Sequence, residues 1–146
     1  MKHLLTFMML ALGFSSLRAA DPVLAVTEDR FRGKTYVSEL LESHLEKAPK
    51  WEAQTNAPPL LPKRAGAIAA TYAGIYFAAE HPKRPADFPG WQPHRLSLEL
   101  GEGANLWYYR ISVAPNVAGT GASETVAILV TMDGKVVPLR VEEPQK

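Results

Sequence analysis

The chain has 146 residues and no cysteine, with 16 basic and 15 acidic side chains for a formal charge of +1. The missing thiol excludes disulfides, thiolate metal sites, a cysteine nucleophile and attachment through a lipid-modified N-terminal cysteine. The near balance of charge leaves no strong field to draw nucleic acid or an anionic membrane.

Residues 1–20 read as a secretory signal peptide. Lys2 and His3 precede an uncharged apolar run from Leu4 to Phe14, and small residues close the segment at Ala19 and Ala20. Basic start, apolar middle and small-residue cleavage site are the three parts of such a signal. The run is too short for a bilayer, which needs roughly 20 apolar residues. A buried N-terminal helix would show a polar face, and none is present. Cleavage is expected after Ala19 or Ala20. It removes Lys2 and Arg18 and leaves 14 basic and 15 acidic residues, a formal charge of −1. The remaining chain is expected to be soluble in a secreted or periplasmic setting, held together by burial alone.

Residues 21–33 carry mixed charge and Gly33, and little fixed structure is expected there. A first helix is expected over about Thr35 to Lys47, because Val37, Leu40, Leu41, His44, Leu45 and Ala48 recur at helical spacing. Pro49 ends it. Residues 49–62 form a proline-rich connector. A second helix is expected over about Lys63 to Glu80, with no charge from Ala65 to Ala79. Gly66, Ala70, Gly74 and Ala78 give it a smooth face for close packing, and Ile68, Tyr72, Ile75 and Ala79 a bulkier stripe. Residues 81–93 are a second connector, whose Phe88 and Trp91 are expected to pin it to the core.

Four segments then alternate apolar and polar residues with period two, the mark of half-buried strands. The first contains Leu96, Leu98 and Leu100; the second Trp107, Tyr109, Ile111 and Val113; the third Val126, Ile128 and Val130; the fourth Val137, Leu139 and Val141. Asp133-Gly134 is a strong hairpin signal. A two-residue loop there pairs Met132 with Lys135 and Val130 with Val137. A loop over Gly101 to Ala104 pairs Leu98 with Trp107 and Leu96 with Tyr109. Pro138 cannot donate to a central ladder, so the fourth strand is expected at an edge.

The expected fold is α+β: two N-terminal helices packed on a four-stranded antiparallel meander, as a single domain over residues 34–142 with a frayed tail at 143–146. The element order over residues 63–141 and the Asp133-Gly134-Lys135 hairpin resemble the cystatin and PepSY type, in which one helix packs on a curled antiparallel sheet. The extra N-terminal helix departs from that type, and no site is carried over from it.

No catalytic or metal-binding pattern appears. His44, His81 and His94 share no ligand spacing, Ser97, Ser112 and Ser123 have no base nearby in sequence, and no cofactor is expected. Two functions fit. One is an exported, non-enzymatic interaction module for another exported or cell-envelope protein, using a sheet face bearing Tyr108, Arg110, Leu129 and Val136. The other is a carrier of a small apolar ligand in a helix–sheet pocket near Tyr72, Tyr76, Trp91 and Trp107, with His81 at its mouth.

Overall fold

The computed structural model describes residues 20–53, 56–82, 90–101, 106–116 and 124–142. The expected signal peptide up to residue 19 and the expected tail lie outside the described residues, as do Phe88 and Ser123. In chain order come β1 (Val23–Phe31), β2 (Lys34–Leu41), a one-turn helix α1 (Glu42–Leu45), the long helix α2 (Pro62–Glu80), β3 (Trp91–Leu100), β4 (Trp107–Pro115), β5 (Val126–Thr131) and β6 (Arg140–Glu142). Among the described residues two antiparallel sheets form, ordered β1-β2-β6 and β3-β4-β5. This corrects the expected fold: one long helix and two three-stranded sheets replace two helices on a four-stranded meander.

The largest correction lies before residue 46. The segment expected to be unstructured is strand β1, and most of the expected first helix is strand β2. The two pair from Phe31↔Lys34 to Val23↔Leu41. Arg32 at φ 49° and Gly33 at φ 79° make the turn. Two consecutive positive φ angles define a type I′ loop, which matches strand twist. Tyr36, Ser38 and Leu40 are buried at strand spacing. Only the end of the expected helix is helical. There the Leu41 N–H donates to His44 Nδ1 (3.0 Å) and the Ser43 N–H to Asp21 Oδ1 (3.2 Å).

Helix α2 forms where expected, with Pro62 in its first turn, where the missing N–H costs no helical bond. Its core stripe is Ala65, Ala69, Ala73 and Phe77, all fully buried. The glycines lie on the flank of this stripe, against β3: a Cβ on Gly66 would meet Pro93 at 3.1 Å, and one on Gly74 would meet Trp91 at 3.8 Å. Ile75, expected in the bulky packing stripe, is 68% exposed. No helix among the described residues is long and apolar enough to cross a membrane.

Strands β4 and β5 arise where the period-two pattern puts them; β3 begins at Trp91, within the stretch expected to be a connector, and both hairpin registers move. Leu98 pairs with Tyr109 and Leu100 with Trp107. A shift of two residues keeps every side chain on its expected face. At the second hairpin the Thr131 N–H donates to the Lys135 carbonyl (2.9 Å), and Val130 bridges Val136 rather than Val137. Gly134 at φ 82° closes a three-residue loop, the alternative to a two-residue turn. This one-residue slip puts Val136 across from Val130, and Val137 across from Leu129.

The chain then changes sheets. Val137 still donates to the Leu129 carbonyl (2.9 Å), but Pro138 has no N–H, and Arg140–Glu142 pairs with β2 instead. Side chains take over the broken ladder. The Leu139 N–H donates to Tyr72 Oη (3.0 Å), and the Ala127 N–H donates to Asp29 Oδ2 (2.9 Å) of β1. Asp29 thus clips one sheet to the other. Asp29→Ala should cost about 1–3 kcal/mol, because it strands a partly buried amide; Asp29→Asn keeps an acceptor and should recover most of that loss. Urea unfolding midpoints of the two variants check this.

Candidate functional site

The expected binding face is partly covered. Tyr108, Arg110 and Leu129 do share one side of the β3-β4-β5 sheet, since Arg110 pairs with Leu129 and Tyr108 with Thr131. However, Tyr108 is only 4% exposed and Leu129 is fully buried. Strands β1 and β2 contact β5. Val136, through the register slip, sits across from Val130 and so shares its face rather than that of Leu129.

The expected pocket residues are spread out and occupied with one another. Tyr72 and Tyr76 stack on each other (5.8 Å between ring centroids), and Tyr76 meets Tyr36 edge-on at 6.3 Å. Trp91 stacks on Phe77 at 4.6 Å and lies 5.4 Å from Phe31. Trp107 sits apart from these, against Trp51 at 5.2 Å. His81 is the C-terminal cap of α2, its N–H donating to the Phe77 carbonyl (3.1 Å). At the same helix end the Glu80 carboxylate accepts from Tyr36 Oη (2.9 Å), with Lys34 Nζ at 3.9 Å.

What remains open is a groove of about 420 Å³. One wall is Val26, Thr27, Glu28 and Asp29 of β1. The other is the part of the outer sheet face that stays accessible: Arg95, Ser97 and Glu99 of β3, Arg110 and Ser112 of β4, and Ala127 of β5. Alternation along β3 and β4 puts these polar residues on one side and Leu96, Leu98, Tyr109, Ile111 and Val113 on the other, so the groove follows directly from the strand period.

Its charges are distributed unevenly. Glu99 is held by three partners: Ser97 Oγ donates to Oε1 (2.8 Å), Tyr108 Oη donates to Oε2 (2.7 Å), and Arg110 Nε lies 3.2 Å from Oε1. Asp29 is committed to Ala127. Glu28 and Arg95, on opposite walls, make no ion pair among the described residues. Thr27 Oγ1 is buried on a residue 2% exposed and has no hydrogen-bond partner among the described residues. A buried hydroxyl without a partner is uncommon in a folded chain and calls for an explanation. Sequence reading singled out Arg110 from this set. It missed Thr27, Glu28 and Asp29, because it assigned no strand to them.

Burial, and then the hydrogen bond to Glu99, push the Tyr108 phenol up to about 12. Burial and the charge of Glu80 push Tyr76 up to about 12, and burial first, then the hydrogen bond to Glu80, pushes Tyr36 up further. A raised phenol favours the fold while it stays protonated. That stabilisation is complete below pH 10, where free phenols ionise, and is lost as pH rises through about 12. The tyrosinate absorbance of the folded protein should therefore rise later than that of the chain in urea, and its onset should coincide with loss of the circular dichroism signal.

No group of three or more His, Asp or Glu among the described residues could hold a metal ion. The chain matches no family model, no curated protein and no solved structure at a significant level.

Proposed function

We propose that the protein is an exported, non-enzymatic binding module and that its binding site is the groove between β1 and the outer face of β3 and β4. The observation that carries this reading is a polar concavity with Glu28 and Arg95 on facing walls, neither of them in an ion pair among the described residues. Such a concavity can orient a ligand without chemistry of its own. The non-enzymatic part is supported by Glu99, whose carboxylate is taken up by Ser97, Tyr108 and Arg110. The export part is supported by the basic, apolar and small-residue series over residues 1–20, and the partner is then an exported or cell-envelope protein. The apolar-carrier alternative has less support, since the rings around which it was built contact each other.

A photo-crosslinking residue at Arg95, on the groove wall, should trap a partner in the cell, whereas the same residue at Ile75, on the exposed side of α2, should not. The same products from both positions would overturn the groove as the site. The protein recovered outside the cytoplasm should begin at Ala20 or Asp21; a retained Met1 would overturn the export reading.

A further inference from the structure

The groove has an unusual wall. β1 is an outer strand of its sheet, and among the described residues its backbone ladder runs to β2 alone. The two-residue loop at Arg32-Gly33 fixes which of its backbone groups are used. Phe31 and Lys34 close the hairpin as a hydrogen-bonded pair, and such pairs alternate with non-bonded ones along an antiparallel ladder. Asp29 and Thr27 therefore bond to Tyr36 and Ser38, while Arg30, Glu28 and Val26 turn their N–H and C=O away from β2. Among the described residues no other backbone hydrogen bond engages those three. Two of them, Val26 and Glu28, line the groove. Free strand edges are normally shortened, bulged, covered or charged, and here the charged residues Glu28, Asp29 and Arg30 guard against indiscriminate pairing. The one irregularity of β1 lies between Val23 and Ala25, outside this stretch.

Resting on the groove as the binding site, we propose that its occupant is an extended peptide segment of the partner, which adds to β1 as a fourth strand by antiparallel or parallel pairing with Val26, Glu28 and Arg30. Main-chain bonds supply the affinity in strand addition, and alternate side chains supply specificity. The charges set that specificity. Glu28 on the β1 wall takes a basic side chain. Arg95 on the opposite wall takes an acidic one, since Arg110 is already beside Glu99 at 3.2 Å. The four β1 residues lining the groove span about 13 Å, so the recognised core is short: two outward-facing residues of opposite charge with apolar neighbours, one of which lies against Val26, itself 49% exposed.

The test uses the exported protein and capped peptides of the form Val-Xaa-Val-Xaa-Val, in which the two variable positions are both lysine, both glutamate, or one of each. Amide hydrogen exchange is followed residue by residue. The mixed peptide should slow exchange at Val26, Glu28 and Arg30 and bind more tightly than the two single-charge peptides. Glu28→Pro removes an outward N–H without touching the β2 ladder and should weaken binding about tenfold or more, because it leaves the peptide carbonyl unpaired. Glu28→Gln keeps the N–H and should lose only the preference for lysine. Retained protection at Thr27 and Asp29 shows that the proline variant still folds. Strand addition is overturned if Glu28→Pro binds like the wild type, or if side-chain resonances shift with no slowing at the three amides. It is also overturned if the three amides become protected without peptide as protein concentration rises, which would make a second copy the occupant. If no peptide binds while Arg95 still crosslinks, the occupant is not an extended peptide and the groove stands. If Arg95 fails as well, the groove reading falls with it.

Discussion

Phe77→Ala should destabilise the protein by about 3–5 kcal/mol, the range for removing a fully buried aromatic ring. Phe77 is fully buried and is the hub of an aromatic cluster that joins three parts of the chain. Its ring centroid lies 5.1 Å from Phe31 of β1, 5.1 Å from Tyr36 of β2 and 4.6 Å from Trp91 of β3. Truncation leaves a void bounded by both sheets, and neither can close it without breaking its own ladder. Because small domains are stable by about 5–15 kcal/mol in all, the loss is a large share of the total and the variant should melt well below the wild type. Phe77→Leu retains most of the volume and should cost much less. Calorimetric midpoints of the two variants check the expectation, and equal midpoints would show that the cluster does not join the sheets.

Leu129→Asp should prevent folding. On a meander with one open face, Leu129 would lie in solvent beside Tyr108, and a polar replacement there would change stability by no more than about 0.5 kcal/mol. Instead Leu129 is fully buried, paired with Arg110 on β4 and accepting the Val137 N–H on its other side. A carboxylate at this position loses its water, and the Glu99 carboxylate already occupies the side of Arg110. A buried, unpaired charge costs several kcal/mol. Ile75→Asp on the exposed side of α2 is the control and should be close to neutral. Far-ultraviolet circular dichroism of the two purified variants distinguishes the structures: two native spectra would restore the open face.

The legible parts of the fold are those whose pattern is local. Leu96 to Leu100 and Trp107 to Val113 alternate, and each is a strand with its apolar side where the alternation puts it; Val126 to Val130 is apolar throughout and is a strand buried on both faces. Ala65 to Ala79 is helical, as a chargeless run with Pro62 before it and Pro82 after it requires. The first hairpin was hidden by two coincidences. Val37, Leu40, Leu41 and Leu45 have helical spacing because strand β2 runs straight into α1, which buries Leu45. The turn uses Arg32 at a positive φ, where asparagine, aspartate or glycine is the usual signal. With β1 unrecognised, one wall of the groove had no residues to name, although Arg110 on the other wall was singled out.

The sequence by itself determined three strands, the long helix and the lack of any thiol. Each follows from steric or covalent facts that act within a few residues. The sequence pattern ran the fourth strand through Val141 as an edge of the same sheet, whereas residues 140–142 pair with β2. Only the tertiary structure decided the rest. It set the hairpin registers, because loops of two and three residues fit the same Asp-Gly pair and packing chooses between them. It sent residues 140–142 to β2, because Tyr72 and Asp29, distant in sequence, satisfy the amides left behind. It also brought β1 alongside β5 and so turned a nominally open sheet face into a groove with one free strand edge. The last two rest on contacts between residues far apart in sequence, 67 positions for Tyr72 with Leu139 and 98 for Asp29 with Ala127, and no local pattern encodes them.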